Sequence, residues 1–252
     1  MILIRKRKMK VFYTNYFILI ITLFNFHGML SAQSINGMSG LLTLPSARME
    51  QDKTVKAGIN FLNKAFAPSV FSYHTFNYYL NVTILPCLEV GYTCTLFKAT
   101  DRFIPYKKGK FVNQDRALSI KFRPLKEGRY FPSVVLGTND ISPSNILTSN
   151  TTNKFFNSVY LAMSKHFIIR KETIGVHLAY TYTKRIDARV KDLSLGVTYI
   201  PSFAPELNLI AEGTRNDLNV GATYLFFKHL FVQGVMQRGR YFSGGVGYKV
   251  YL

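Results

Sequence analysis

The chain has no tryptophan, only two cysteines, and far fewer acids than bases, with 13 Asp and Glu against 32 Lys and Arg. Two cysteines cannot make a disulfide scaffold. Cys87 and Cys94 fall in one extended stretch, about 23 Å apart at ~3.3 Å per residue, which excludes a bridge between them. They are expected to be free thiols, one near a turn and one facing outward. Past residue 32, no run approaches the roughly 20 continuous apolar residues of a membrane-spanning helix. Charge is scarce as well: 18% of residues, where a soluble domain carries about a quarter. His, Cys and carboxylates show no metal-ligand spacing. His74, His166, His177 and His229 are scattered with no serine motif beside them. A non-enzymatic protein without metal or cofactor is therefore expected.

What is present begins with a targeting segment. Arg5, Lys6, Arg7, Lys8 and Lys10 precede an apolar core from Tyr16 to Phe24, and Ser31-Ala32 offers a small-residue cleavage site. Residues 1–32 read as an export signal; an uncleaved anchor is the alternative, disfavoured by the short core. Without those five cations, 27 Lys and Arg face 13 acids, a net of +14. An exported membrane protein does not meet nucleic acid, so phosphates of lipopolysaccharide or an acidic polysaccharide are the better partners. The competing explanation is that many of these cations snorkel at two membrane rims.

From residue 54 onward the pattern is two-residue alternation. Ile174, Val176, Leu178, Tyr180 and Tyr182 share one strand face; Gly175, His177, Ala179 and Thr181 share the other. Twelve such segments are predicted, at 54–63, 72–85, 88–97, 116–123, 130–138, 157–167, 173–182, 191–200, 206–214, 218–225, 230–238 and 242–252. Strands of about ten residues with an apolar outer face and a small or polar inner face are what a bilayer demands of β-structure. Closure satisfies every backbone hydrogen bond without an edge. The fold class is all-β: a transmembrane antiparallel up-and-down β-barrel of about 12 strands. The domains are the signal at 1–32, an N-terminal segment at 33–53 that can fold into the lumen, and the barrel at 54–252. Links after even strands are short, and the two longest, 98–115 and 139–156, follow odd ones. That parity puts short turns in the periplasm and Lys107, Lys108 and Lys110 outside the cell. A soluble β-sandwich or lipocalin-like barrel fits the alternation alone.

Four segments in order resemble the YjbH-like outer-membrane proteins. In GMSGLLTLPSARM (37–49), Gly40, Leu41, Leu42, Pro45, Ala47 and Arg48 stand where that family has a Gly-Leu-Leu, a Pro and an Ala-Arg pair. FPSVVLGTND (131–140) contributes Gly137 and Asp140, and VYLAMSK (159–165) contributes Ser164 and Lys165. Tyr199-Ile200-Pro201 and Ala211-Glu212 complete the likeness. The resemblance implies a Gram-negative outer membrane, a role in exopolysaccharide production or export, and periplasmic export proteins as partners. Two departures stand out. Ser142-Pro143-Ser144-Asn145 replaces an expected Gly-rich stretch, and the second barrel of many members has no counterpart here.

The candidate ligand residues are basic. Arg48, Lys56, Lys121, Lys165 and Lys249 in the lumen, with Lys107, Lys108 and Lys110 on the outer loop, can meet an anionic sugar, or simply be ordinary lumen and surface polarity. Arg48 can instead pair with Glu89 or Glu212 and hold the N-terminal segment in place, since a buried charge needs a partner.

Overall fold

The computed structural model describes residues 33–67, 72–99, 107–141, 155–184, 188, 190–215 and 217–252. The expected export signal and the Ser142-Pro143-Ser144-Asn145 stretch lie outside the described residues. The strands are β1 (Thr54–Leu62), β2 (Thr75–Leu85), β3 (Leu88–Lys98), β4 (Phe111–Leu125), β5 (Ser133–Asn139) and β6 (Ser158–Ile169), then β7 (Glu172–Tyr182), β8 (Asp192–Ile200), β9 (Leu207–Gly213), β10 (Leu218–Phe226), β11 (Leu230–Gln237) and β12 (Tyr241–Tyr251). Each pairs antiparallel with its neighbours in sequence, and β1 pairs with β12, so the sheet is a closed up-and-down barrel.

The alternation predicts which face is which. In β2, Leu80 is 47% exposed while Asn81 beside it is fully buried, and the same inversion runs around the wall. Large apolar side chains outside and amides, hydroxyls and glycines inside reverse a soluble barrel. This is the arrangement lipid requires. Aromatic residues gather at the short-turn rim, where His229 stacks on Tyr248 with Tyr251 beside it, and Phe203 and Phe227 stand exposed. They supply the girdle that tryptophan would otherwise form.

Several boundaries differ from expectation for local reasons. β4 starts at Phe111, so part of the predicted loop is strand. β5 starts only at Ser133, because Pro132 has no amide to give the ladder. β6 and β7 run to within two residues of each other, leaving Arg170-Lys171 as the turn, with Arg170 at φ 60°. Phe227 and Lys228 both take positive φ, the conformation of a tight hairpin turn whose twist matches its strands. Both cysteines are free thiols. Cys94 points to the outer face, but Tyr78 and Tyr92 roof it and Arg116 stands opposite in register, leaving it 2% exposed.

If the outer face meets lipid, a charge in mid-strand is costly. Leu80→Arg, at the centre of β2, is expected to destabilise the barrel by about 2–4 kcal/mol, read as a lower urea midpoint in lipid vesicles. Thr223→Ser, a polar swap on the inner face that keeps the hydroxyl, is expected to shift it less.

Candidate functional site: a plugged, cation-lined lumen

A barrel of eight strands has an interior just filled by side chains; twelve leave more room. Residues 33–53 occupy it. The segment folds on itself through bridges Gln33↔Ser39 and Gly40↔Pro45 and through bonds from Ile35 N to Leu42 O and Leu41 N to Leu44 O. Leu41, Leu42 and Leu44 are at most 1% exposed and pack with Ile35, Leu62, Phe66, Ile210 and Val235. Inward glycines of the wall form sockets for it. A Cβ on Gly91 would collide with Met38, one on Gly196 with Leu41, and one on Gly221 with Leu42. Gly37 of the plug sits at φ +81° against Tyr79, where no other residue fits without strain.

A buried segment outside the sheet ladder must find partners for its backbone. Wall side chains supply them. Glu89 accepts from Ser39 N at 2.6 Å; Glu212 accepts from Thr43 N at 2.9 Å, from Leu44 N at 3.3 Å and from the Thr43 hydroxyl. Ser164 Oγ accepts from Ala47 N at 2.8 Å. Asn60 and Asn77 donate to Ile35 O, and Thr93 donates to Asn36 O. Glu89 and Glu212 thus hold the segment, through its amides. The carboxylates acting on the Arg48 guanidinium are those of Glu50 and Glu127.

The cations follow the same logic. Lys56 and Lys249, both at most 2% exposed, flank the plug carboxylate of Glu50 at 3.2 and 3.3 Å. Lys56 also donates to Ser39 Oγ. Lys121, fully buried, donates to Ser39 O and Arg48 O and faces Glu89 across the β3–β4 register. So the wall cations Lys56, Lys121 and Lys249 are brought together around the plug stretch that carries Arg48 and Glu50. Lys165 is not among them: it lies at the short-turn rim, 3.4 Å from Glu127 and bonded to Gly128 O. There, partial burial pushes the Glu127 carboxyl up, but hydrogen bonds from His166 and Lys165 outweigh it and hold it below the usual carboxylate range. Lys107, Lys108 and Lys110 are exposed at the other rim.

The remaining signature residues serve the plug's dock. Ala47 packs with Val135, Tyr160, Ala162 and Ala179, and the Tyr160 ring lies over Gly137, which has no side chain to obstruct it. Asp140 is buried with φ 55° at the end of β5, its carbonyl held by Asn157. One pairing was not visible in the sequence. His177 Nδ1 lies 2.8 Å from Ser164 Oγ, and its Nε2 3.1 Å from Thr198 Oγ1. Ser164 and His177 are cross-strand neighbours in register, thirteen residues apart in sequence. Both are 1% exposed, and Ser164 Oγ is the same atom that accepts from Ala47 N. Among the described residues no cluster of His, Cys, Asp and Glu could hold a metal.

Removing Glu50 leaves two buried ammonium groups without their carboxylate. Glu50→Ala is expected to cost about 3–5 kcal/mol, measured by urea unfolding in vesicles. Adding Lys56→Met and Lys249→Met should recover most of that loss.

Among solved structures, the chain is similar to a KdgM porin in complex with disordered oligogalacturonate, at 9% identity and a TM-score of 0.44, covering 79% of this chain and 99% of that one. It is also similar to outer membrane phospholipase A from Escherichia coli, at 14% identity and a TM-score of 0.34, covering 79% and 96%. At such distances neither neighbour's ligand nor activity transfers. No curated protein matches the chain. Residues 32–194 match the family model described as exopolysaccharide biosynthesis protein YbjH, a span that starts at the plug and runs through its dock to β8. With the greater part of its length matched, the chain belongs to the YjbH family.

Proposed function

We propose that this protein is a non-enzymatic barrel of the Gram-negative outer membrane, exported by its N-terminal signal, that serves exopolysaccharide production or export. Its lumen takes an anionic stretch of the polymer when the plug withdraws. The observation that carries this reading is the position of Glu50. Its carboxylate sits between two buried lysines as a sugar carboxylate would, and Lys56 and Lys121 also donate to plug oxygens. In the closed state those cations are satisfied internally; an incoming polyanion would exchange with the plug for the same positions.

The two rims fit the surroundings proposed for them. Lys107, Lys108 and Lys110 at the long-loop end would meet lipopolysaccharide phosphates. Lys126, Arg129 and Lys171, exposed at the short-turn end, would face export proteins in the periplasm. The tight packing of the plug favours a second reading, in which the barrel is structural or porin-like and never opens to a polymer.

Locking the plug separates the two. Ala47→Cys with Ser164→Cys, at positions joined by a hydrogen bond, should form a disulfide that pins the plug. In a deletion strain, the wild type is expected to restore surface polysaccharide. The locked variant should fold and insert, shown by heat-modifiable migration, yet restore it only after reduction. Full restoration by the oxidised variant would rule out plug withdrawal. No loss of polysaccharide on deletion would remove the polysaccharide role.

A further inference from the structure

The outward face of the wall is apolar or aromatic around most of its circumference, as lipid requires. Arg116 interrupts it, exposed on the outer face and five residues inside β4. In register it stands opposite Cys94 of β3, which stands opposite Tyr78 of β2. Tyr92 lies on the same face, two residues from Cys94 toward the short turns. The small Cys94 side chain forms a floor over which three long side chains converge. The rings of Tyr78 and Tyr92 are exposed, and the Arg116 charge acts on both of their hydroxyls.

A second cation continues this patch toward the long-loop rim. Lys98 ends β3 four residues beyond Cys94, ~13 Å along the strand at ~3.3 Å per residue. Its Nζ lies over the rings of Tyr73 and Phe111, at 5.9 and 6.0 Å. Lys110, exposed, follows it at the rim, where its carbonyl accepts from Ala99 N. No carboxylate of β2, β3 or β4 answers these charges, because the acids of those strands, Glu89 and Asp115, are buried on the inner face.

The patch therefore offers donors and positive charge above an apolar slope, and its complement is an anion with acyl chains. Tyrosines mark the interfacial level of a membrane protein, where a cation on the lipid face costs least. A guanidinium holds a phosphate through two parallel bonds, which an ammonium cannot do. Cations spread over more than 10 Å suit several anionic groups on one sugar scaffold better than a single phosphodiester.

We infer that the outer wall of β2, β3 and β4 holds one phosphorylated glycolipid of the outer leaflet. A sugar phosphate would sit on the Arg116 guanidinium between the Tyr78 and Tyr92 hydroxyls. Lys98 and Lys110 would take anionic groups nearer the rim, and the acyl chains would lie along Leu80 and Leu118. The inference rests on the outer-membrane barrel and goes beyond the polysaccharide role, since the site lies outside the lumen.

The test is native mass spectrometry of the full barrel in octyl tetraoxyethylene, an uncharged detergent. The added lipids are diphosphoryl lipid A and phosphatidylglycerol. The wild type should retain one diphosphoryl lipid A in preference to phosphatidylglycerol. Arg116→Gln should weaken that retention by about tenfold, the loss of a charge-assisted contact. Arg116→Lys should restore it only in part, and Arg240→Gln, the same change in an exposed arginine of the β11–β12 turn, should leave it intact. Arg116→Gln removes a charge from the lipid face, so its urea midpoint in zwitterionic vesicles should hold or rise. A lowered midpoint would assign Arg116 a structural role and overturn the site. So would absence of retained lipid A, equal retention of phosphatidylglycerol, or equal losses in Arg116→Gln and Arg240→Gln. Each of these outcomes would leave the polysaccharide role standing if deletion still abolished surface polysaccharide.

Discussion

The structure depends on filling a lumen that its own wall side chains do not fill. Twelve strands close the backbone ladder, but the inner faces carry small and polar residues that stop short of the axis. A folded interior does not stay loosely packed. The segment 33–53 fills it, which brings backbone amides into a region where each needs a partner. Glu89, Glu212 and Ser164 answer that need from three different parts of the wall. Fold and plug are thus one problem in hydrogen-bond satisfaction, and the inward carboxylates and glycines are its solution.

The proposed function rests on how the cations are accommodated in that solution. A basic lumen would be unstable if left dry and unpaired. Here Glu50 and plug carbonyls serve Lys56, Lys249 and Lys121. Glu50 presents the carboxylate that an acidic polymer would present, so the proposed exchange need not expose a naked charge at any stage.

Much of the barrel was legible in the chain because lipid imposes a period of two. Leu178 and Leu195 had to point out, and Ser164 and Thr198 in, whatever their neighbours were. Exact strand ends were less legible. β4 extends into a segment whose sequence is polar and loop-like, since Asp115 is buried inward rather than solvated. The candidate site was half legible. Basic residues at inward positions were identifiable, and so was the Gly-Leu-Leu to Ala-Arg segment as a piece that could enter the lumen. That Lys165 would leave the cluster for Glu127 was not, because the turn carrying Glu127 is placed by tertiary packing.

By itself, then, the sequence determined the faces of the strands, their number and the closed topology, because hydrogen-bond closure and alternation are local rules repeated along the chain. Tertiary structure alone decided the pairings that span the lumen: Glu212 with Thr43, Ser164 with His177, Glu50 between Lys56 and Lys249. Those contacts depend on strand register, on the tilt that sets the height of each side chain, and on the path of the plug. No local pattern encodes the three together.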